Sequence, residues 1–341
     1  FKKAKQPWRG IGFGTMMHAE GSSRFSGYTS SAAVVKVTED ATITIVHGGT
    51  EIGQGIDTVC AQIAGEVLGI PMEDITVAVE DTEHTLLEAG MYASRGTVYA
   101  GGAVHAAAED ARRQLADVAA GMLKVPVEQV EFKNRRVSDK KNPSKGFSLQ
   151  DVVRKAYYDI GKPVYGRGSW SAPRIDFPDF EGTGLGTHPF AYAAIAQAVE
   201  AEIDPETGKT RLVQSVTVDE HGQPINSMML DGQLEGGTIC EMGQTLSEEM
   251  LWDKKGQPLT TNFLEYKMPT VMDAPPQKVF HMLCPSPHGP FGAKGGGEHS
   301  TATSLAAIVN AVCAASGNRF NELPVSPPKM LEAIKKKAKA K

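Results

Sequence analysis

Residues 289–300 constrain the fold of this chain more than any other segment. Their sequence is Gly-Pro-Phe-Gly-Ala-Lys-Gly-Gly-Gly-Glu-His-Ser. Three successive glycines let the backbone lie directly against a ligand or another backbone, because no side chain separates the two. The segment does not fit a phosphate-binding P-loop, since Gly295 stands where Ser or Thr would bind magnesium. Glu298 follows the glycines and precedes an apolar-periodic helix, so it is a candidate general base.

Two other glycine-rich segments also precede predicted helices. We call residues 48–55 the first glycine-rich segment, residues 88–102 the second, and residues 289–297 the third. The N–H groups at a helix N terminus favour anions. In the first segment, Gln54 can bond a heterocycle through both its amide oxygen and its NH₂ group. In the second segment, two hydroxyl groups and the Arg95 guanidinium suit a phosphate. One such segment is usually only a turn, but three with different polar groups favour a large anionic cofactor.

The pattern of apolar residues predicts an α+β fold with two lobes, residues 1–180 and 181–341. A chain of 341 residues exceeds one average domain, and 41% hydrophobic residues provide a sizeable core. Strands and helices alternate without a regular βαβ period. Predicted strands cover 32–37, 41–46, 75–79, 192–203, 210–218 and 278–283, and predicted helices cover 56–68, 103–120, 149–158, 233–251 and 300–315. We interpret residues 1–30 as irregular and residues 125–180 as a connecting region.

Charge and cysteine usage exclude several classes of protein. The net charge is −5 and no basic stripe carries interleaved aromatics, so a nucleic-acid partner is not expected. No apolar run approaches the roughly 18 residues of a membrane span, and no charged-then-apolar leader opens the chain. The cysteines form no CxxC pair, so an iron–sulfur or zinc site within this chain is not expected; they are Cys60, Cys240, Cys284 and Cys313. These features predict a cytoplasmic protein with reduced thiols.

Other motifs carry less weight. Gln233 could contact a cofactor ring or cap the helix behind it. Residues 10–14, Gly-Ile-Gly-Phe-Gly, resemble a dinucleotide fingerprint but have the wrong spacing and no preceding strand. His47, His221 and His299 are scattered and form no HxxxH-type pair, so metal ligation by imidazole is not expected. The elbow motif of serine hydrolases is also missing from the sequence.

Four motifs occur in the order seen in the molybdenum hydroxylases, the family of xanthine dehydrogenase and aldehyde oxidase. They are residues 50–55, 92–97, 232–236 and 292–298. The resemblance extends from about residue 9 to residue 320 and covers the C-terminal half of the family's molybdenum-binding portion. The other half, the [2Fe–2S] domains and the FAD domain have no counterpart here. The resemblance therefore implies a split enzyme in which partner subunits provide those parts.

The resemblance also implies a role for each matching residue. Molybdenum would be held through the dithiolene of a pterin, with no direct ligand from the protein. Glu298 would be the base beside the metal, and Gln54 and Gln233 would bond the pterin. The arginine of residues 92–97 is similar to that of members that use molybdopterin cytosine dinucleotide. Cofactor contacts are thereby implied at Gly53, Gln54, Gly55, Ala93, Ser94, Arg95, Gly96, Thr97, Gln233, Lys294, Gly295, Gly296 and Gly297.

The activity implied by the resemblance is oxidation of an N-heterocycle, a purine or an aldehyde, with water as the oxygen source. Such a chain would be active only with its partner subunits. Residues 88–92 are nearer the pattern of 4-hydroxybenzoyl-CoA reductase, so reductive removal of a ring hydroxyl is an alternative. Two more alternatives are a non-catalytic scaffold that provides cofactor contacts alone, and a nucleotide-binding enzyme unrelated to molybdenum.

Overall fold

The first of two four-stranded sheets contains the predicted hairpin. The structure is a computed structural model and describes residues 7–21, 30–173 and 190–339. The strands of this sheet are β2 (Ser30–Val37), β3 (Ile43–His47), β4 (Ile75–Val77) and β8 (Tyr165–Ser171), in the order β4-β3-β2-β8. β2 and β3 pair antiparallel, which confirms the hairpin. β8 pairs with β2, so the interpretation of residues 125–180 as a mere connection is wrong.

Two long helices pack against this first sheet. α1 (Ile56–Leu68) has the predicted bounds, whereas α2 (Gly96–Leu123) begins earlier than predicted. α2 lies against β8 because two residues of that strand have no side chain. A Cβ at Gly166 or Gly168 would lie 1.9 or 2.2 Å from a backbone atom of α2. Aliphatic side chains of both helices and of the sheet form one hydrophobic cluster.

The second sheet includes a strand from the region predicted to be irregular. Its strands are β1 (Arg9–Ala19), β9 (Tyr192–Ile203), β10 (Thr210–Glu220) and β11 (Gln277–His281), in the order β1-β9-β10-β11. β9 and β10 form the predicted antiparallel pair, and β11 runs parallel to β10. The irregular interpretation is wrong for residues 9–19, because β1 pairs with β9 along its whole length.

Glycines of β1 bring a helix close to this second sheet. The helices here are α4 (Ser227–Leu246) and α5 (His299–Ser316). A Cβ at Gly12 would lie 2.1 Å from the Ala307 carbonyl oxygen and from the Ala311 nitrogen on α5. Gly10 and Gly14 are equally close to the backbone of that helix. These glycines therefore serve strand–helix packing, in agreement with the rejection of a dinucleotide fingerprint.

The remaining elements are small. Strands β5 (Val130–Lys133), β6 (Arg136–Asp139) and β7 (Asn142–Ser148) form a third sheet, followed by α3 (Leu149–Arg154), and α6 (Pro327–Lys339) ends the described chain. The mixture of sheets and helices confirms the predicted α+β class. The predicted boundary between residues 180 and 181 lies outside the described residues. Within the described ranges, no helix has both the length and the apolar character needed to cross a membrane.

Candidate cofactor-binding site

A cavity of about 550 Å³ lies where the three glycine-rich segments meet. Each segment contributes to its wall, and α4 closes another side. The lining residues include Gln54 of the first segment and Ser94, Gly96 and Thr97 of the second. They also include Gly232, Gln233 and Gly236 of α4, Lys294, Gly296 and Gly297 of the third segment, and Glu298, which follows it. Groups separated by more than 240 residues in sequence, such as Gln54 and Glu298, thus face one space.

The second and third segments touch through their backbones. A Cβ at Gly295 would lie 1.8 Å from the Ser94 carbonyl oxygen, and a Cβ at Gly296 would lie 2.2 Å from Leu230. Ala93 and Ser94 both have left-handed backbones, with φ of 49° and 51°. Such a conformation costs a residue with a side chain about 1–3 kcal/mol. The strained turn and the glycines together hold the start of α5 against the start of α2.

Glu298 stands in the cavity wall immediately before α5, and its side chain is 55% exposed. Its backbone N–H donates to Ser94 Oγ at 2.9 Å, and Ser94 Oγ donates to Glu298 Oε2 at 3.3 Å. His18 Nε2 lies 3.5 Å from the same Oε2 atom. The contact with His18 lowers the pKa of Glu298 and outweighs the partial burial that would raise it. The group is therefore an ionised carboxylate at neutral pH, suited to accept a proton.

The two glutamines are placed differently from what their motifs predict. Both amide atoms of Gln54 bond its own loop, because Oε1 accepts from the Ile52 N–H and Nε2 donates to the Thr50 carbonyl, each at 2.8 Å. The expectation that this amide is free on both sides is wrong. Gln233 lies inside α4, whose N terminus is capped by Asn226. The alternative role of Gln233 as a helix cap is therefore also wrong.

The two cations of the predicted site are paired with carboxylates. Arg95 is only 1% exposed, and its guanidinium lies 2.8 Å from Glu88 Oε1. It also lies 3.9 Å from the Tyr99 ring centroid and does not line the cavity. The carboxylate of Glu88 thus holds the Arg95 guanidinium away from this cavity, and a contact between Arg95 and a phosphate stays a prediction. Lys294 lines the cavity, but its Nζ donates to both oxygens of Glu220 at 2.7 and 2.8 Å.

The N terminus of α2 is the better place for an anion. Gly96 and Thr97 begin this helix and line the cavity, and no side chain among the described residues caps it. The N terminus of α1 differs, since Glu51 Oε1 accepts from the N–H groups of Gly53 and Gly55 at 2.8 and 2.9 Å. The carboxylate of Glu51 therefore already occupies the position that an anion would take at α1.

Histidines predicted to be scattered meet around Asp219. His299 Nε2 donates to Asp219 Oδ1 at 2.5 Å, His221 Nδ1 contacts Oδ2, and His281 Nδ1 lies 4.0 Å from Oδ2. Burial raises the pKa of Asp219, but hydrogen bonds from His221 and His299 outweigh it and lower the pKa to about 2. Two groups of described residues have metal-ligand spacing: Asp219, His221 and His281, and His47, Asp57 and Glu80.

Two further residues at this site were missed because β1 was not predicted. His18 contacts Glu298, and Glu20 is completely buried nearby. Burial raises the pKa of Glu20 to about 7, despite the nearby Gly295 backbone N–H and the charge of Lys294. The alternation of glycine with Ile11 and other apolar residues at 10–14 is the period-two signal that could have revealed the strand.

The fold and the cavity define a molybdopterin-binding domain. The family model described as molybdopterin cofactor-binding domain matches residues 1–275. The chain accordingly belongs to the molybdenum hydroxylase family, as part of the portion that binds molybdopterin. This confirms the family resemblance drawn from the four motifs.

Individual relatives agree with this assignment. The nicotine 6-hydroxylase large subunit of Paenarthrobacter nicotinovorans is 31% identical over 98% of this chain and 41% of its own length. The 6-hydroxypseudooxynicotine dehydrogenase complex subunit gamma of the same organism is 32% identical over 93% of this chain and 38% of its own length. Quinoline 2-oxidoreductase from Pseudomonas putida 86 superposes with a TM-score of 0.85 at 28% identity, over 96% of this chain and 42% of that chain. The chain thus spans about two fifths of the length of these relatives.

Proposed function

We propose that this chain is the molybdopterin-binding portion of a multi-subunit molybdenum hydroxylase and carries its catalytic base, Glu298. The substrate class is an N-heterocycle, a purine or an aldehyde, and water is the oxygen source. The observation that carries the proposal is the meeting of the three glycine-rich segments and α4 around one cavity, with an ionised carboxylate in its wall. The relatives named above act on nitrogen heterocycles or their derivatives, which supports this substrate class.

The residues of the cavity fit a pterin that carries phosphate. Its volume of about 550 Å³ lies within the range of roughly 300–1,000 Å³ common for ligand pockets. A Cβ at Gly232 or Gly236 would meet no protein atom within 4 Å, so the cavity is open where these glycines face it. Gln233 offers its amide group to a polar ring, and Gln54 offers the second lone pair and the second N–H that its loop contacts leave. The uncapped N terminus of α2 offers N–H groups to a phosphate. The ion pair between Lys294 and Glu220 attaches the third glycine-rich segment to the end of β10.

Glu298 is the group of this chain that moves a proton. The molybdenum cofactor, when bound, supplies the two-electron oxidation of the substrate carbon and the site at which oxygen from water is transferred. Glu298 accepts a proton at its carboxylate, and Ser94 orients the residue by donating to Oε2 and accepting from its backbone N–H. Because the side chain is 55% exposed, the proton can then leave to solvent. Because the pKa of Glu298 is lowered, the carboxylate returns to its ionised form and can accept the next proton.

The rest of the enzyme is proposed to come from other parts of the assembly. We expect a second molybdopterin-binding portion, a [2Fe–2S] subunit and an FAD subunit, all in the cytoplasm; the relatives' names describe a large subunit and a subunit of a complex. Residues 250–283 expose many large apolar side chains, which a partner would cover. They are Met250, Leu251, Trp252, Leu259, Phe263, Leu264, Met268, Val271, Met272, Phe280, Met282 and Leu283. We propose the second molybdopterin-binding portion as the occupant, since this chain spans only two fifths of its relatives.

The substitution Glu298→Gln in the purified complex tests the proposed role. It removes the proton acceptor while keeping the shape and the Ser94 contact. We expect turnover to fall by about 10²-fold or more, since a positioned base contributes roughly 10²–10⁴-fold. Molybdenum and pterin content should stay normal. Glu235→Gln, an exposed carboxylate on α4 that does not line the cavity, is the matched control and should keep full activity.

The same preparations distinguish the alternatives. Full turnover in the Glu298→Gln complex would show that this chain is a scaffold and not the source of the base. A complex that contains ATP or NAD but no molybdenum would support an unrelated nucleotide-binding enzyme. We propose molybdopterin cytosine dinucleotide as the form of the cofactor, so acid treatment should release CMP in a 1:1 ratio with molybdenum.

A further inference from the structure

His18 is held rigidly beside the proposed base. It is the second-last residue of β1 and pairs with Ala193 of β9. Its side chain is only 13% exposed, and its buried Nε2 atom forms no hydrogen bond with any described residue, so its 3.5 Å approach to Glu298 Oε2 is an ion-pair contact. β1 in turn lies against α5, the helix that begins directly after Glu298. The imidazole and the carboxylate are therefore fixed relative to each other by the packing of two adjacent elements.

The contacts of Glu298 are concentrated on one of its two carboxylate oxygens. Ser94 Oγ and His18 Nε2 both approach Oε2, at 3.3 and 3.5 Å. No hydrogen bond between described residues involves Oε1, and Glu298 lines the cavity. One oxygen is thus held by the protein, and the other is available to a proton donor in the cavity.

Two of the other charged side chains near this pair are bound to partners of opposite charge, whereas Glu20 forms no hydrogen bond with a described residue. The titratable groups packed around His18 and Glu298 are Glu20 directly after β1, Asp219 and Glu220 on β10, Lys294 in the third glycine-rich segment, and His299 on α5. Lys294 is bound to Glu220, and His299 is bound to Asp219. His299 stacks on His18 at 6.3 Å between ring centroids and supports its orientation. His18 Nε2 is consequently the ring nitrogen that contacts Glu298 directly, beside the Ser94 hydroxyl.

We infer that His18 is a positioning residue, which holds Oε2 of Glu298 so that Oε1 is presented to the proton donor in the cavity. The inference rests on the proposed function of Glu298. Two substitutions distinguish the effect of side-chain length from the effect of side-chain polarity. His18→Gln keeps a donor that can extend to Oε2, whereas His18→Asn is shorter by one methylene and cannot reach it. His84→Gln, at an exposed histidine paired with Asp81, controls for the loss of an imidazole.

The first readout is the pH profile of kcat/KM in the complete complex. Loss of a contact that favours the charged carboxylate raises its pKa, so the acidic limb of the His18→Asn profile should move up by about one pH unit. Activity at a pH on the acidic limb should fall by up to about tenfold, the change that one pH unit produces there, while the plateau at high pH changes little. His18→Gln and His84→Gln should keep the limb of the unaltered enzyme.

The second readout does not need turnover. With ¹³C-carboxyl-labelled glutamate, the Glu298 signal is identified by its loss in Glu298→Gln. Its titration midpoint should rise in His18→Asn and be restored in His18→Gln. Unchanged midpoints and an unchanged acidic limb in His18→Asn would overturn the inference for His18 while leaving the proposed function intact. Retained turnover in Glu298→Gln would instead overturn the proposed function itself.

Discussion

Removal of the Arg95 guanidinium should lower the stability of the fold without weakening cofactor binding directly. Arg95 and Glu88 are 1% and 4% exposed and lie 2.8 Å apart. Breaking a buried ion pair by removing one partner costs about 3–5 kcal/mol, because the other charge stays buried and unpaired. Loss of the guanidinium stacked 3.9 Å from the centre of the Tyr99 ring acts in the same direction. We expect Arg95→Met to reduce the free energy of unfolding by about 3–5 kcal/mol.

The matched double variant removes both charges of the pair. In Arg95→Met combined with Glu88→Gln, the new amide can still accept from the Ala89 N–H that now donates to Glu88 at 2.9 Å. We expect this double variant to lose no more than about 2 kcal/mol, since replacing a whole buried pair is often close to neutral. The coupling energy between the two positions should then be at least about 1 kcal/mol.

Urea unfolding followed by tryptophan fluorescence measures this difference. With a slope of about 3 kcal/mol per molar urea, a loss of 3 kcal/mol moves the midpoint by about 1 M. Trp170 lies 4.5 Å from Tyr99 between ring centroids and should report on this region. An Arg95→Met chain that unfolds within about 1 kcal/mol of the unaltered one, yet loses cofactor, would refute the reasoning and restore the phosphate contact predicted from sequence.

Two other perturbations test the cavity and its buried acid. Burial raises the pKa of Glu20 from 4.5 to about 7, so the folded state keeps a proton that the unfolded chain releases, and stability falls as pH rises through this window. Glu20→Gln should abolish that fall and be more stable than the unaltered protein at pH 8 by up to about 3 kcal/mol. Urea unfolding at pH 5 and pH 8 measures this difference. The same loss of unfolding free energy between these two pH values in both proteins would contradict the prediction. Gly236→Leu should fill the cavity and lower the pterin content of the complex, whereas Gly121→Leu on α2, which also meets no atom within 4 Å, should leave it unchanged. Both leucines should raise or preserve helix stability, so equal pterin content in the two variants would argue against cofactor binding beside α4.

Local patterns were sufficient to predict most of the regular structure. Apolar residues at helical spacing predicted α1 with its bounds, and alternation around an Asp-containing turn predicted the hairpin of β2 and β3. The order of four short motifs was sufficient for the family, which the match of residues 1–275 confirms. These features depend on neighbours in sequence, so a single chain read locally contains them.

The partners of charged and polar side chains required the tertiary structure. Arg95 has the motif of a phosphate ligand, yet its guanidinium pairs with Glu88, because folding buries both groups and a buried charge must be neutralised. His18 lies 280 residues before Glu298, and only the packing of β1 against α5 brings their side chains together. A side chain's pattern in sequence indicates what it can bind, whereas burial and long-range packing decide which of the possible partners it reaches.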